Sequence, residues 1–170
     1  MTQIKLLLFD VDGVLTDGTI LVHGDGSESK QFSIRDGSAI VWAQRAGLRV
    51  GLLSARSAAA TAVRGAQLGI TTIVQGAADK LSGYEQILSH AGLGDHEVGY
   101  MGDDLQDLPV LRRAGFSAAP ADAAPEVRRA VQWVSASGGG RGAVRECIEH
   151  VLRAQGKWQA AVGGFLEPDA

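Results

Sequence analysis

Ile4-Lys5-Leu6-Leu7-Leu8-Phe9 is almost unbroken in apolar residues, where a strand with one wet face would alternate. Such a run predicts a strand buried on both faces, the habit of parallel sheets. It stops at Asp10-Val11-Asp12-Gly13, where a loop is expected. Residues 21–23 and 30–34 flank Gly24-Asp25-Gly26-Ser27 and read as the two arms of a β-hairpin. From Asp36 the period lengthens. Residues 36–45 predict a helix closed by Gly47, 48–53 a strand, and 57–68 a helix capped by Ser57. The alternation continues with strands over 72–74, 97–101, 115–118 and 131–134, the last at an edge. Helices are expected over 79–90, 105–113, 124–129 and 143–154. Strands alternating with helices predict an α/β fold, a Rossmann-like parallel sheet with helices on both faces. One domain over 1–157 is expected, with no repeat or linker, and a flexible tail over 158–170.

Composition narrows the function more than the fold. A net charge of −3 argues against a nucleic-acid binder, because no basic face offsets phosphate repulsion. Cys147 is the one cysteine, so no internal disulfide forms, which fits a reducing, cytoplasmic setting. No apolar run approaches the ~20 residues of a membrane span, and no signal peptide is visible at the first strand.

Right-handed crossovers gather the carboxyl ends of parallel strands on one edge of the sheet, where such sheets bind ligands. Strand one ends at Asp10 and Asp12, strand two at Ser54, and the fourth at Gly102-Asp103-Asp104; Lys80 opens the helix after the third. Their chemistry is complementary. Carboxylate oxygens suit Mg²⁺, which takes few protein ligands beside water and phosphate. A lysine and a hydroxyl suit phosphoryl oxygens. Phosphoryl transfer asks for little beyond positioning and charge neutralisation. Asp10 as nucleophile would split hydrolysis into two steps through an aspartyl-phosphate. Asp12 could protonate the leaving alkoxide and then activate water. Lys80 is one of four lysines among many arginines, which sets it apart from ordinary surface charge.

Plainer readings exist for each feature. Asp-x-Asp after a strand is often a turn, Asp103 and Asp104 could cap the next helix, and Ser54 alone says little. An EF-hand is excluded, because Gly13 comes too early and no bidentate Glu follows at the right distance. Gly138-x-Gly140-x-x-Ala143 imitates a dinucleotide fingerprint, yet no second strand remains to carry a ribose-binding acid. From composition alone, residues 138–145 are either a flexible turn or a backbone approaching an anion beside Arg141 and Arg145.

With these residues in place, the sequence resembles the haloacid dehalogenase superfamily of phosphatases. The motifs are Asp10-Val11-Asp12-Gly13-Val14-Leu15-Thr16, Ser54, Lys80, and Gly102-Asp103-Asp104 with Asp107. It is similar in particular to the small capless members acting on 3-deoxy-D-manno-octulosonate 8-phosphate. Residues 10–18, 34–37, 102–105 and 138–146 carry that closer match. The resemblance implies Asp10 as nucleophile and metal ligand, and Asp12 as acid/base lending the metal its carbonyl. Asp103 would complete the Mg²⁺ site, with Asp104 and Asp107 supporting it, while Ser54 and Lys80 hold the phosphoryl group. Thr16, Arg35, Asp36, Gly37, Arg56, Arg141 and Arg145 would face the substrate, a sugar-acid phosphate. It further implies a homotetramer joined through the hairpin, with the glycine-arginine segment closing over an adjacent site.

Ser54-Ala55-Arg56 stands where the family usually has Thr-Gly-Arg, and Ser38-Ala39 where Tyr-Gly is commoner. Both departures lie near the expected substrate pocket. Arg56 favours the eight-carbon sugar acid over nonulosonate 9-phosphates, on resemblance alone. A silent oligomerisation domain of the same fold is the remaining alternative, against which the full set Asp10, Asp12, Lys80 and Asp103 argues. A phosphate-receiver domain fits less well, since its acceptor Asp should end a middle strand.

Overall fold

The computed structural model describes residues 1–165. The first strand, β1, spans Leu6–Phe9. A hairpin follows, β2 (Leu21–Val22) and β3 (Glu28–Ser29), then α1 (Ile34–Arg45), β4 (Arg49–Leu53), α2 (Ala59–Gln67) and β5 (Thr72–Val74). The second half runs α3 (Lys80–Ala91), β6 (Val98–Met101), α4 (Leu108–Leu111), β7 (Phe116–Ala119), α5 (Pro125–Ala130), β8 (Trp133–Val134), α6 (Ala143–Ala154) and α7 (Trp158–Val162).

Six strands form one parallel sheet in the order β5-β4-β1-β6-β7-β8, with β8 at an edge as expected. All four β1 side chains are buried, and they divide between two cores. Leu7 and Phe9 pack with Ile40, Val144, Ile148 and Val151 of α1 and α6. Leu6 and Leu8 pack with Tyr84, Ile87, Val110 and Val127 of α3, α4 and α5. Each such side chain contributes roughly 2 kcal/mol of burial. The unbroken apolar run thus reflects helices on both faces of the sheet.

The chain leaves β1 for β4 and β5 on one side, then crosses to β6, β7 and β8 on the other. β1 is therefore the strand at which the winding reverses, and a crevice opens beyond its carboxyl end. Phe9 pairs with Leu52 on one side and Met101 on the other, which sets Asp10 level with the ends of β4 and β6.

Several boundaries differ from expectation. The second hairpin arm is Glu28–Ser29, not 30–34. Asp25 accepts from the amide of Ser27 and Gly26 takes a positive φ of 84°, so the turn closes early. Ser33 caps α1 by accepting from the Asp36 amide at 3.3 Å, which draws Ile34 into the helix. Ser57 does not cap α2, whose N-cap Ala58 has no side-chain bond. Residues 105–113 break into a 3-10 turn at Leu105–Asp107 and a short α4. Pro109 fits only the first turn of a helix, where its missing N–H is not needed. The expected loose tail instead begins with α7, whose Ala161 and Val162 are buried and whose Trp158 packs edge-on against Trp42 of α1 at 6.2 Å. The rest of that expectation, residues 166–170, lies outside the described residues.

Candidate active site

Asp10 lies just past β1, 2% exposed, its Oδ1 accepting from the Val11 amide at 2.7 Å. The chain then coils through Val11–Leu15, and the Thr16 amide returns to the Val11 carbonyl at 3.0 Å. The Thr16 hydroxyl donates to that carbonyl and accepts from the amides of Gly13 and Gly18. Thr16, expected at the substrate, is fully buried as the fastening of this loop. Gly13 at its centre has φ +86°, and a Cβ there would lie 2.0 Å from Asp103 Oδ2. Glycine supplies the left-handed turn and leaves room for the Asp103 carboxylate.

Lys80, the first residue of α3, points into the crevice. Its ammonium donates to Asp10 Oδ2 at 2.6 Å and to Asp107 Oδ1 at 2.5 Å. Asp107 also accepts from the Tyr100 hydroxyl and, through Oδ2, from the amides of Asp103 and Asp104 at 2.9 and 3.1 Å. It is the hub that ties the β6 loop to Lys80. Tyr100 was not singled out in the sequence, where it looks like one more core residue of β6. The Asp104 side chain accepts from the Leu105 amide as a cap and is exposed, as the plainer reading had it.

One ammonium thus faces three carboxylates. Burial raises Asp10 to about 6; Asp107 adds to the rise and Lys80 opposes it. Burial, with the charges of Asp10 and Asp107, pushes Asp103 to about 8. Burial works against the Lys80 charge, but Asp10 and Asp107 outweigh it and hold that pKa above the ordinary value. Carboxylate oxygens of Asp10, Asp103 and Asp107 lie within 4.8 Å of one another, and Asp103 Oδ1 is buried with no bonding partner among the described residues. Asp107 already has a donor on each oxygen. Crowded acids with one orphaned oxygen fit a hard divalent cation held by Asp10 and Asp103, with Asp107 behind them.

A family model of haloacid dehalogenase-like hydrolases matches residues 58–146. The 3-deoxy-D-manno-octulosonate 8-phosphate phosphatase KdsC of Escherichia coli K12 is 42% identical over 161 residues, covering 95% of this chain and 86% of that protein. The chain belongs to the haloacid dehalogenase-like hydrolases. Among solved structures, a probable YrbI family phosphatase from Pseudomonas syringae pv. phaseolica superposes with TM-score 0.95 at 43% identity, over 99% of this chain and 96% of that one. The octulosonate 8-phosphate phosphatase of Moraxella catarrhalis, solved with magnesium ion, phosphate ion and KDO, gives TM-score 0.94 at 34% identity, over 97% and 95%.

In this haloacid dehalogenase-like chain the acids of the first motif part company. Asp12 turns from the cluster: its Oδ1 accepts from Lys30 at 2.6 Å, and its buried Oδ2 has no hydrogen-bond partner among the described residues. Arg56 Nε stands 3.6 Å from that Oδ2, while its Nη2 donates to Glu28 at 2.6 Å. Glu28 and Lys30 were missed in the sequence, although the scarcity of lysine that marked Lys80 applies equally to Lys30. Ser54 is buried at the end of β4, next to β1.

The other expected substrate contacts make no bond to the carboxylate cluster. Asp36, 1% exposed, accepts from the amides of Gly142 and Arg145 at 3.2 and 2.8 Å and so caps α6 from a distance. Gly37 faces Arg64 of α2. Arg145 pairs with Glu149 at 2.9 Å and lies over the Trp42 ring at 5.1 Å. Arg35 and Arg141 are exposed beside a cleft that also holds Glu146 and Glu149. None of these arginines bonds to the carboxylate cluster. The glycine segment settles on its own chain. The Gly140 amide donates to the Val14 carbonyl at 2.9 Å, and a Cβ on Gly139 would lie 1.9 Å from the Gly13 carbonyl oxygen. Glycine at 139 therefore lets two backbones touch and braces the Asp10 loop from behind.

Proposed function

We propose that this chain is a magnesium-dependent phosphomonoesterase that hydrolyses 3-deoxy-D-manno-octulosonate 8-phosphate to the free sugar acid and phosphate, in the route to lipopolysaccharide. The observation that carries the reading is the buried Asp10–Lys80–Asp107 cluster with the unpartnered Asp103 oxygen, beyond β1 where the sheet winding reverses. Similarity to the octulosonate 8-phosphate phosphatases of Escherichia coli and Moraxella catarrhalis, at 42% and 34% identity, supports the choice of substrate.

In this reading an Asp10 carboxylate oxygen attacks phosphorus as the P–O bond to the sugar breaks, and the proton of Asp12 goes to the departing alkoxide. Water then attacks the phosphorus of the aspartyl-phosphate, Asp12 takes its proton, and the bond to Asp10 breaks to release phosphate. Burial raises the Asp10 pKa, and the Lys80 ammonium bonded to its Oδ2 opposes that rise and favours the ionised form a nucleophile needs. Lys80, with Ser54 on the neighbouring strand end, binds phosphoryl oxygens, and Asp107 keeps the Lys80 ammonium aimed at Asp10. Asp10 and Asp103, with the Asp12 carbonyl, would hold Mg²⁺, which when bound would neutralise charge on the phosphoryl group. Arg56 is the candidate contact for the substrate carboxylate, because it is half-exposed beside Asp12.

We further assign the chain to the cytoplasm and to a homotetramer. The buried free thiol of Cys147 supports the first, and no helix among the described residues is long and apolar enough to cross a membrane. The exposed Leu21 and Val22 of the hairpin support an apolar contact between subunits there. Phosphate release in Mg²⁺ from a panel holding the eight-carbon and nine-carbon sugar-acid esters tests the substrate. A preference for the eight-carbon ester, absent in Asp10→Asn, is expected. Preference for the nonulosonate ester would move the assignment, and no release from any ester would leave a silent oligomerisation domain.

A further inference from the structure

Lys30 is the most buried cation of the hairpin region. It follows directly on β3, in a segment otherwise largely exposed, yet its side chain is only 1% exposed. A lysine sealed from water needs a partner, and its partner is Asp12 Oδ1, at 2.6 Å and eighteen residues away. The other Asp12 oxygen is buried and unbonded. The second cation near it, Arg56, is drawn towards Glu28, which leaves its Nε at 3.6 Å, beyond hydrogen-bond range. Glu28 and Lys30 are alternate residues, Lys30 reaching Asp12 in the loop after β1 and Glu28 reaching Arg56 in the loop after β4, while Ser29 between them is exposed. The hairpin therefore fastens one oxygen of Asp12 and leaves the other free.

We propose that Lys30 is a positioning residue for Asp12, fixing its Oδ1 so that Oδ2 alone exchanges the proton with the sugar oxygen and then with water. This rests on the phosphatase reading given above. The chemical argument is one of lone pairs. Oδ1 accepts from the Lys30 ammonium, so Oδ2 is the oxygen left to meet the sugar oxygen. When Oδ2 delivers that proton to the alkoxide, the resulting carboxylate keeps its orientation through Lys30, and the same oxygen takes the proton of the attacking water. A carboxyl without that anchor rotates and presents either oxygen in either state. The competing account is that the ion pair merely pins the hairpin to the domain.

A double-mutant cycle with a split by leaving group separates the two. Lys30→Met should lower kcat on the octulosonate ester on the order of ten- to a hundred-fold, with little change in KM. Single-turnover phosphoryl transfer from 4-nitrophenyl phosphate should keep its rate, because that leaving group departs without a proton. In an Asp12→Asn background, Lys30→Met should cost nothing further; with Asp12 intact, Lys30→Arg should keep part of the activity that Lys30→Met loses. If Lys30→Met does not fold, as judged by thermal melting, Lys30→Gln is read in its place. Equal losses on both esters, or a loss that multiplies in the Asp12→Asn background, would overturn the proposal while leaving the phosphatase reading intact. A wild type inactive on every ester, or an active Asp10→Asn, would instead remove the phosphatase reading and this proposal with it.

Discussion

Asp103→Asn should make the metal-free protein more stable at neutral pH while destroying its use of magnesium. Burial and the neighbouring charges of Asp10 and Asp107 raise the Asp103 carboxyl from 3.8 to about 8 on folding. A group whose pKa rises on folding favours the fold below its unfolded value and costs progressively more as pH climbs through the interval. At pH 7 that interval corresponds to about 4 kcal/mol relative to a group that stays neutral. The residue is not fully sealed from solvent, and screening reduces the expected gain to about 2 kcal/mol. At pH 5 less of the interval has been crossed, and the gain should fall to about 1 kcal/mol. Urea unfolding of both proteins in chelator at pH 5 and pH 7 reads these differences. Magnesium should reverse the order, because a ligand that binds only the folded state stabilises it by mass action and the variant has lost a ligand. An Asn variant no more stable than wild type at pH 7 in chelator would refute the claim that the acids are crowded for a missing positive charge.

Gly139→Ala places a Cβ 1.9 Å from the Gly13 carbonyl oxygen. It should cost roughly 1–3 kcal/mol in stability and slow turnover by displacing the Asp10 loop, although residue 139 bonds to no catalytic group; steady-state kinetics beside urea unfolding would show both. Asp36→Ala should destabilise the protein by about 1–2 kcal/mol through loss of the α6 cap and leave kcat/KM nearly unchanged. A large rise in KM instead would return Asp36 to the substrate site.

The parallel sheet was legible because β1 is apolar on both faces, and strand ends announced Asp10, Lys80 and Asp103 through the rule that crossovers collect those ends on one edge. What the sequence concealed has a common cause, which is direction. Asp36 and Arg145 lie in motifs that resemble a substrate site, but their position in α1 and α6 turns one inward as a remote cap and the other onto Trp42. Lys30 read only as the start of a hairpin arm because its partner is eighteen residues away, and no periodicity records a pairing that depends on how a loop folds back. Tyr100 fits the apolar pattern of β6, and only the position of Asp107 beside it gives its hydroxyl a role. Asp107 is four residues from Asp103, yet its place as the hub follows from the 3-10 turn Leu105–Asp107, across which Asp104 and Asp107 cap each other's backbone. Boundaries failed where Ser33 caps α1 ahead of the expected start, where Ser57 gives α2 no cap, and where Pro109 begins a new short helix.

Covalent trapping at Asp10 tests the central claim most directly. Wild-type protein turning over the octulosonate ester in Mg²⁺ would be quenched and treated with borohydride, which reduces an acyl phosphate to an alcohol. Mass spectrometry of the peptide that contains Asp10 should then find homoserine at position 10, and only when ester and magnesium are both present. Turnover with Asp10 left unmodified, or with the label on another acid, would contradict the account.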